Sequence, residues 1–183
     1  PQSKKNLPKQ FIDWGGWTLF GKTLNRVNGS IFDYPIITTN YAYLSLVKKH
    51  LLRHKIKKYK IILEPFKKNT APAIYLASKH IYSIDKQAEI GIYPSDHYIK
   101  NENEFTNIVN KIDVTLESKK ESIITIGIVP QFASSSYGYI NVEKNVELKN
   151  KVLKINKFIE KPNLDEAKVL IKENNNLWNS GMF

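Results

Sequence analysis

Apolar positions along this chain fall alternately in runs or at a spacing of two, and then at the helical spacing of 3.6. In TLFGKTLNRV, Leu19, Phe20, Leu24 and Val27 share one face, which predicts a short helix. YPIITTN then reads as a buried strand, and YAYLSLVKKHLLRH as a helix. KIILEP is another short apolar run, closed by proline. NTAPAIYLASKHIYSI opens a helix, with Asn69 or Thr70 as its cap and Pro72 tolerated in the first turn. EIGIYPSDHYI predicts a strand that stops in a polar loop. NEFTNIVNKIDVTLES puts Phe105, Ile108, Val109, Ile112 and Leu116 on one helical face. SIITIGIVP is the kind of unbroken run that is buried on both sides of a sheet. YGYI, KINKFIEKP, the helix LDEAKVLIKEN and LWNSGMF complete the chain. The alternation predicts an α/β fold, a mostly parallel sheet with helices on both faces, in which ligands sit at the carboxyl ends of the strands.

Composition narrows this only a little. A length of 183 residues, 42% hydrophobic and 25% charged, suits one globular domain. There are no internal repeats, and no apolar run approaches the ~20 residues that span a bilayer. The absence of cysteine excludes disulfides, zinc–thiolate sites and cysteine nucleophiles, and it fits a cytoplasmic protein. The net charge of +11 raises the question of nucleic acid. Its carriers are almost all lysines, with Arg26 and Arg53 the only arginines. They are scattered, and HKIKKYK at residues 54–60 is the best patch. Base and phosphate readers favour the arginine fork, so the charge reads as a solvated surface and no nucleic-acid partner is expected.

Polar residues at successive strand ends carry the candidate chemistry. Asp96 follows an apolar run and suits a magnesium ion shared with ligand phosphates, because magnesium takes few protein carboxylates. An Asx turn or a helix cap explains the same residue equally simply. His97 reads as structural. Glu64, before Pro65, is either a surface residue at a strand end or a carboxylate that accepts from the ring N–H and exocyclic amine of guanine. Glu160 and Lys161 are either surface charge or a pair gripping a sugar hydroxyl and a phosphate. Gly138 lies between two tyrosines, where backbone passes closely.

The string LPKQF (7–11), ILEPFKKNTAPAI (62–74), YPSDHYI (93–99), ITIGIVP (124–130), YGYI (137–140), FIEKP (158–162) and LWNSGMF (177–183) resembles the mannose-1-phosphate guanylyltransferases over nearly the whole chain. The resemblance implies a Rossmann-like nucleotide-diphospho-sugar transferase fold, with residues 1–183 as part of the nucleotidyltransferase domain. It implies that GTP and mannose 1-phosphate give GDP-mannose and pyrophosphate, with Mg²⁺ as cofactor. By match, Asp96 would hold the metal and Lys9 would contact phosphate. Glu64, Asn69 and Thr70 would lie around guanine, and Gly138, Glu160, Lys161 and Asn179 around mannose and its phosphate. No membrane partner is implied, and a homo-oligomer is left open.

In this family a first strand and a glycine-rich loop precede PKQF. Pro1 and Ser3 match the end of that loop, and Lys4 stands where arginine is usual. The strand and the loop are therefore expected to be missing from this chain, as is a later segment that supplies a second carboxylate for the metal. Lys68, Ser136 and Gly21 are further departures, from arginine, glycine and glutamine. Three alternatives stand beside the enzyme: a non-catalytic sugar-nucleotide-binding remnant, the N-terminal part of a bifunctional guanylyltransferase and phosphomannose isomerase, and a basic nucleic-acid binder resting on charge alone.

Overall fold

Phe11, Phe20, Leu24, Val47, Leu51 and Ile56 are widely separated in sequence yet share one buried cluster. It is the core of the first of two compact units, Pro1–Ser118 and Lys119–Phe183, in the computed structural model of the chain. The structure describes residues 7–65, 70–119, 121–144, 147–148 and 151–183.

In the first unit a 3-10 turn, Lys9–Phe11, leads to helix α1, Leu19–Arg26. Thr18 caps α1 by accepting from the Gly21 N–H at 2.9 Å, which satisfies one orphan donor of the first turn. Strand β1, Ile36–Thr39, precedes a 3-10 turn and helix α2, Leu44–Arg53, which buries Val47, His50 and Leu51. Strand β2, Lys60–Leu63, runs parallel to β1, with Ile36 opposite Lys60 and Thr39 opposite Leu63. Helix α3, Thr70–Ile84, contains Pro72 in its first turn, and helix α4, Glu102–Ser118, buries Phe105 and Val109. Asn101 starts α4 by accepting from the Glu104 N–H at 3.1 Å.

The second unit is a four-stranded sheet in the order β3-β6-β4-β5. Its strands are β3, Gly127–Ile128; β4, Tyr139–Val142; β5, Ile155–Ile159; and β6, Asn176–Asn179. Every pairing in it is antiparallel. Alternation along β4 divides the core between two faces. Tyr139 packs with Ala167 and Trp178 on one, Ile140 and Val142 with Leu177 on the other. Helix α5, Leu164–Lys172, covers the Tyr139 face through Ala167 and opens with a capping box between Asn163 and Glu166.

The α/β class and the parallel pairing of β1 with β2 agree with the sequence reading, whereas the antiparallel pairings of the second unit were not foreseen. Two expected strands differ. Residues 89–97 carry no ladder among the described residues, because strand formation needs a partner that no local pattern supplies. SIITIGIVP contributes only Gly127–Ile128 to the sheet and is not buried on both sides, since Ile123 is 87% exposed.

Candidate functional site

Two groups of residues are assembled, one in each unit. In the first, Lys9 stands on the Lys9–Phe11 turn, which is pinned by its last residue. The Phe11 ring lies 5.3 Å from Phe20, 6.2 Å from Tyr43 and 5.5 Å from His50. Asp96 sits in a turn just after Pro94. That turn is anchored by Tyr93, whose ring packs edge-on against Phe32 at 5.7 Å and Phe105 at 5.4 Å. Burial pushes the Tyr93 phenol up to about 12, so it stays protonated. The two anchored turns bring the Lys9 ammonium to 2.5 Å from the Asp96 carboxylate.

The surroundings of this pair are cationic and aromatic. His97 is held below its ordinary value, first by burial and then by Lys9 and Arg26, with Asp96 opposing. It is therefore a neutral imidazole at pH 7. Arg26 is buried, with its guanidinium 5.4 Å from the Phe105 ring and 3.9 Å from the Glu102 carboxylate. Its Nε and one terminal nitrogen have no hydrogen-bond partner among the described residues. Trp17 packs on Tyr98 at 5.7 Å, and Trp14 stacks on Trp17 at 6.4 Å. The loop holding both tryptophans is tied down by Arg53, which donates to the Gly16 carbonyl at 2.6 Å.

Asp96 fits a magnesium site of one protein carboxylate. Its side chain is 27% exposed, and the Lys9 ammonium approaches it at Oδ2. Among the described residues no group of three or more His, Cys, Asp or Glu could hold a metal. A single carboxylate completed by ligand phosphates and water is the arrangement magnesium accepts.

Glu64 follows β2 directly, and its N–H donates to the Thr39 carbonyl at 2.8 Å, extending the parallel ladder. It is half-buried at the carboxyl end of the strand pair. Thr70 is the exposed first residue of α3. Asn69, and with it Lys68, Lys4, Ser3 and Pro1, lies outside the described residues.

In the second unit Gly138, Glu160, Lys161 and Asn179 come together at one end of the sheet. Register does this: Tyr139 pairs with both Ile159 and Trp178, so the residues just beyond those pairs are neighbours. The Asn179 N–H donates to the Gly138 carbonyl at 2.8 Å. A Cβ on Gly138 would stand 2.8 Å from the Phe158 ring and 3.2 Å from a Glu160 carboxylate oxygen. Lys161 adopts φ 39°, an uncommon conformation for a side-chain-bearing residue, and its ammonium lies 3.5 Å from Glu160. Carboxylate, ammonium and amide thus project from one sheet end, a set able to hold hydroxyls and a phosphate at once.

The family described as "Nucleotidyl transferase" matches residues 1–183. The chain belongs to that family. It is 34% identical over 191 residues to "Mannose-1-phosphate guanylyltransferase 2" of Escherichia coli O157:H7, covering all of this chain and 39% of that protein. It is 30% identical over 184 residues to "Alginate biosynthesis protein AlgA" of Pseudomonas aeruginosa, covering all of this chain and 38% of that one. The chain therefore spans roughly two fifths of these curated relatives. Among solved structures, "mannose-6-phosphate isomerase from Helicobacter pylori" superposes with TM-score 0.83 and 31% identity, over 99% of this chain and 66% of that one. A UDP-glucose pyrophosphorylase complexed with UDP-glucose superposes with TM-score 0.68 at 16% identity, over 98% of this chain and 68% of that one, a likeness of fold alone. These matches bear out the sugar nucleotidyltransferase resemblance and the nucleotidyl-transferase fold.

Sequence reasoning did not anticipate the contact between Lys9 and Asp96, nor the burial of Arg26 against Phe105. The signal for Arg26 was its rarity among so many lysines.

Proposed function

We propose that the chain carries out nucleotidyl transfer from GTP to mannose 1-phosphate, giving GDP-mannose and pyrophosphate. The observation that carries the reading is the Lys9–Asp96 contact, a cation and a metal-competent carboxylate held together by two anchored turns. Relatives named for this reaction, at 34% and 32% identity, point to the same substrates.

A phosphate oxygen of mannose 1-phosphate attacks the α-phosphorus of GTP, and the bond to the bridging oxygen breaks as pyrophosphate leaves. No covalent bond to the protein is needed, so its work is alignment and charge neutralisation. Lys9 exchanges its carboxylate partner for a triphosphate oxygen when nucleotide enters. Asp96, freed on that side, would hold Mg²⁺, whose charge would offset that of the phosphates. Glu64 accepts from the guanine edge and Thr70 flanks the base, with Asn69 assigned there by the resemblance alone. Gly138 leaves room for the sugar backbone contacts, while Glu160 accepts from a hydroxyl and Lys161 and Asn179 donate to the sugar phosphate.

A substrate panel tests this. GTP with mannose 1-phosphate should form nucleotide sugar at least about tenfold faster than ATP or UTP, or than glucose 1-phosphate, the scale that recognition of one edge supplies. Faster formation of UDP- or ADP-sugars would assign a different member of the family. Retained GDP-mannose binding with no turnover would favour the non-catalytic reading. The likeness to a Helicobacter pylori mannose-6-phosphate isomerase motivates a second reading, that a mannose-phosphate isomerase activity accompanies the transferase in this protein. Interconversion of mannose 6-phosphate and fructose 6-phosphate by this protein is its test.

A further inference from the structure

Asn179 has its amide oxygen fixed from two sides. The Gly181 N–H donates to Oδ1 at 3.1 Å, and the Thr125 hydroxyl lies 3.0 Å from the same atom. A backbone N–H is always a donor, so the atom facing Gly181 is the oxygen and the amide has one orientation. Thr125 also reaches the Met182 carbonyl at 2.9 Å, so its single proton is shared between two acceptors. The turn is closed by the Ser180 N–H donating to Ile126 and the Ile126 N–H donating to Met182, both at 3.2 Å. Gly181, at φ 72°, supplies the left-handed residue the turn needs. With Oδ1 held, Nδ2 is the side of the amide left to meet a ligand, and it has no hydrogen-bond partner among the described residues.

We propose that Thr125 is a positioning residue: with Gly181 it holds Asn179 so that the amide acts only as a donor, to a hydroxyl or phosphate oxygen of the sugar phosphate. The ligand class rests on the functional reading above, while the orientation of the amide does not. Donor polarity at this point complements Lys161, a second donor, and Glu160, the acceptor at the same sheet end. Thr125 acts through Asn179 and need not touch the substrate.

The test uses the protein with Thr125→Val, which keeps the shape and removes the hydroxyl, and Thr125→Ser, which restores it. Thr125→Val is expected to raise KM for mannose 1-phosphate about tenfold, the worth of one lost hydrogen bond, with KM for GTP within about twofold. Thr125→Ser is expected to return KM to within about threefold of the parent. Equal changes for both substrates, or no rescue by serine, would overturn the positioning role. A second readout is independent of turnover: the side-chain amide resonances of Asn179 in ¹H–¹⁵N spectra. They are expected to be well dispersed in the parent and to move toward averaged positions in Thr125→Val. If the parent makes no GDP-mannose but the resonances behave so, the substrate assignment falls and the positioning stands. If the resonances are unmoved, the positioning falls whatever the substrate.

Discussion

Gly138→Ala separates the arrangement of the residues proposed to hold the sugar phosphate from the stability of the unit that holds them. Gly138 is buried but does not use the left-handed region, so alanine brings no backbone strain. The new methyl would stand 2.8 Å from Phe158 Cζ, well inside the ~3.5–4.0 Å of a comfortable carbon contact. It would also stand 3.2 Å from Glu160 Oε2, so the carboxylate must give by a few tenths of an ångström. Phe158 is 47% exposed, and its ring can swing outward. Overpacking of this mild kind costs about 1 kcal/mol, and the loss of glycine freedom in the unfolded chain returns about 0.5 kcal/mol. Net stability should therefore change by less than about 1 kcal/mol in a urea melt. Displacing Glu160 is different, because on the proposed reading its oxygen accepts from a sugar hydroxyl. kcat/KM for mannose 1-phosphate should fall about tenfold or more. An alanine variant of unchanged kcat/KM and unchanged melt would refute the placement of Glu160 against Gly138. A variant that unfolds would refute the estimate of the packing cost.

Other expectations follow from the first unit. The Lys9–Asp96 pair is 70% and 27% exposed on its two sides, so Lys9→Met should cost no more than about 1 kcal/mol of stability while lowering turnover at least about a hundredfold. Melts and initial rates on the same preparation check this, and a large stability loss would make the pair structural. Arg26 is a buried charge with incomplete hydrogen bonding, so Arg26→Met should be near neutral or stabilising, whereas Arg26→Ala should cost about 3 kcal/mol in lost packing. Equal costs in urea melts would contradict that ordering. His50 is held below its ordinary value by burial first, then by His54, Arg53 and Lys49, and His54 and His97 are lowered as well. The unfolded chain therefore binds more protons than the folded one below about pH 6.5, and stability should fall with acidification from there until the folded imidazoles charge. Melts across that range check the sign, and His50→Gln should lessen the slope.

The helices were legible because their signals are local. Thr18, Asn101 and Asn163 cap at the positions where the 3.6-residue pattern begins, and Pro72 falls in a first turn. Strands were legible only as apolar runs. SIITIGIVP and EIGIYP have the composition of buried strands, yet a ladder depends on distant partners, and two residues of the former and none of the latter have one among the described residues. Positions at strand ends were readable: Glu64 does follow a strand, and Gly138 lies against Glu160 where the register brings the two together. Pairings were not readable. Lys9 meets Asp96 because Phe11 and Tyr93 pin two turns, and Thr125 meets Asn179 because the Ser180–Met182 turn folds back on Ile126. Such contacts depend on tertiary placement of side chains that carry no sequence periodicity.

Pyrophosphate release tests most directly the proposal of nucleotidyl transfer with Lys9 and Asp96 at the reacting phosphates. The protein, mixed with GTP, mannose 1-phosphate and Mg²⁺, should release pyrophosphate in step with GDP-mannose, and Asp96→Ala should abolish both while remaining folded. Turnover that persists at the parent rate in Asp96→Ala would contradict a role for Asp96 at the reacting phosphates.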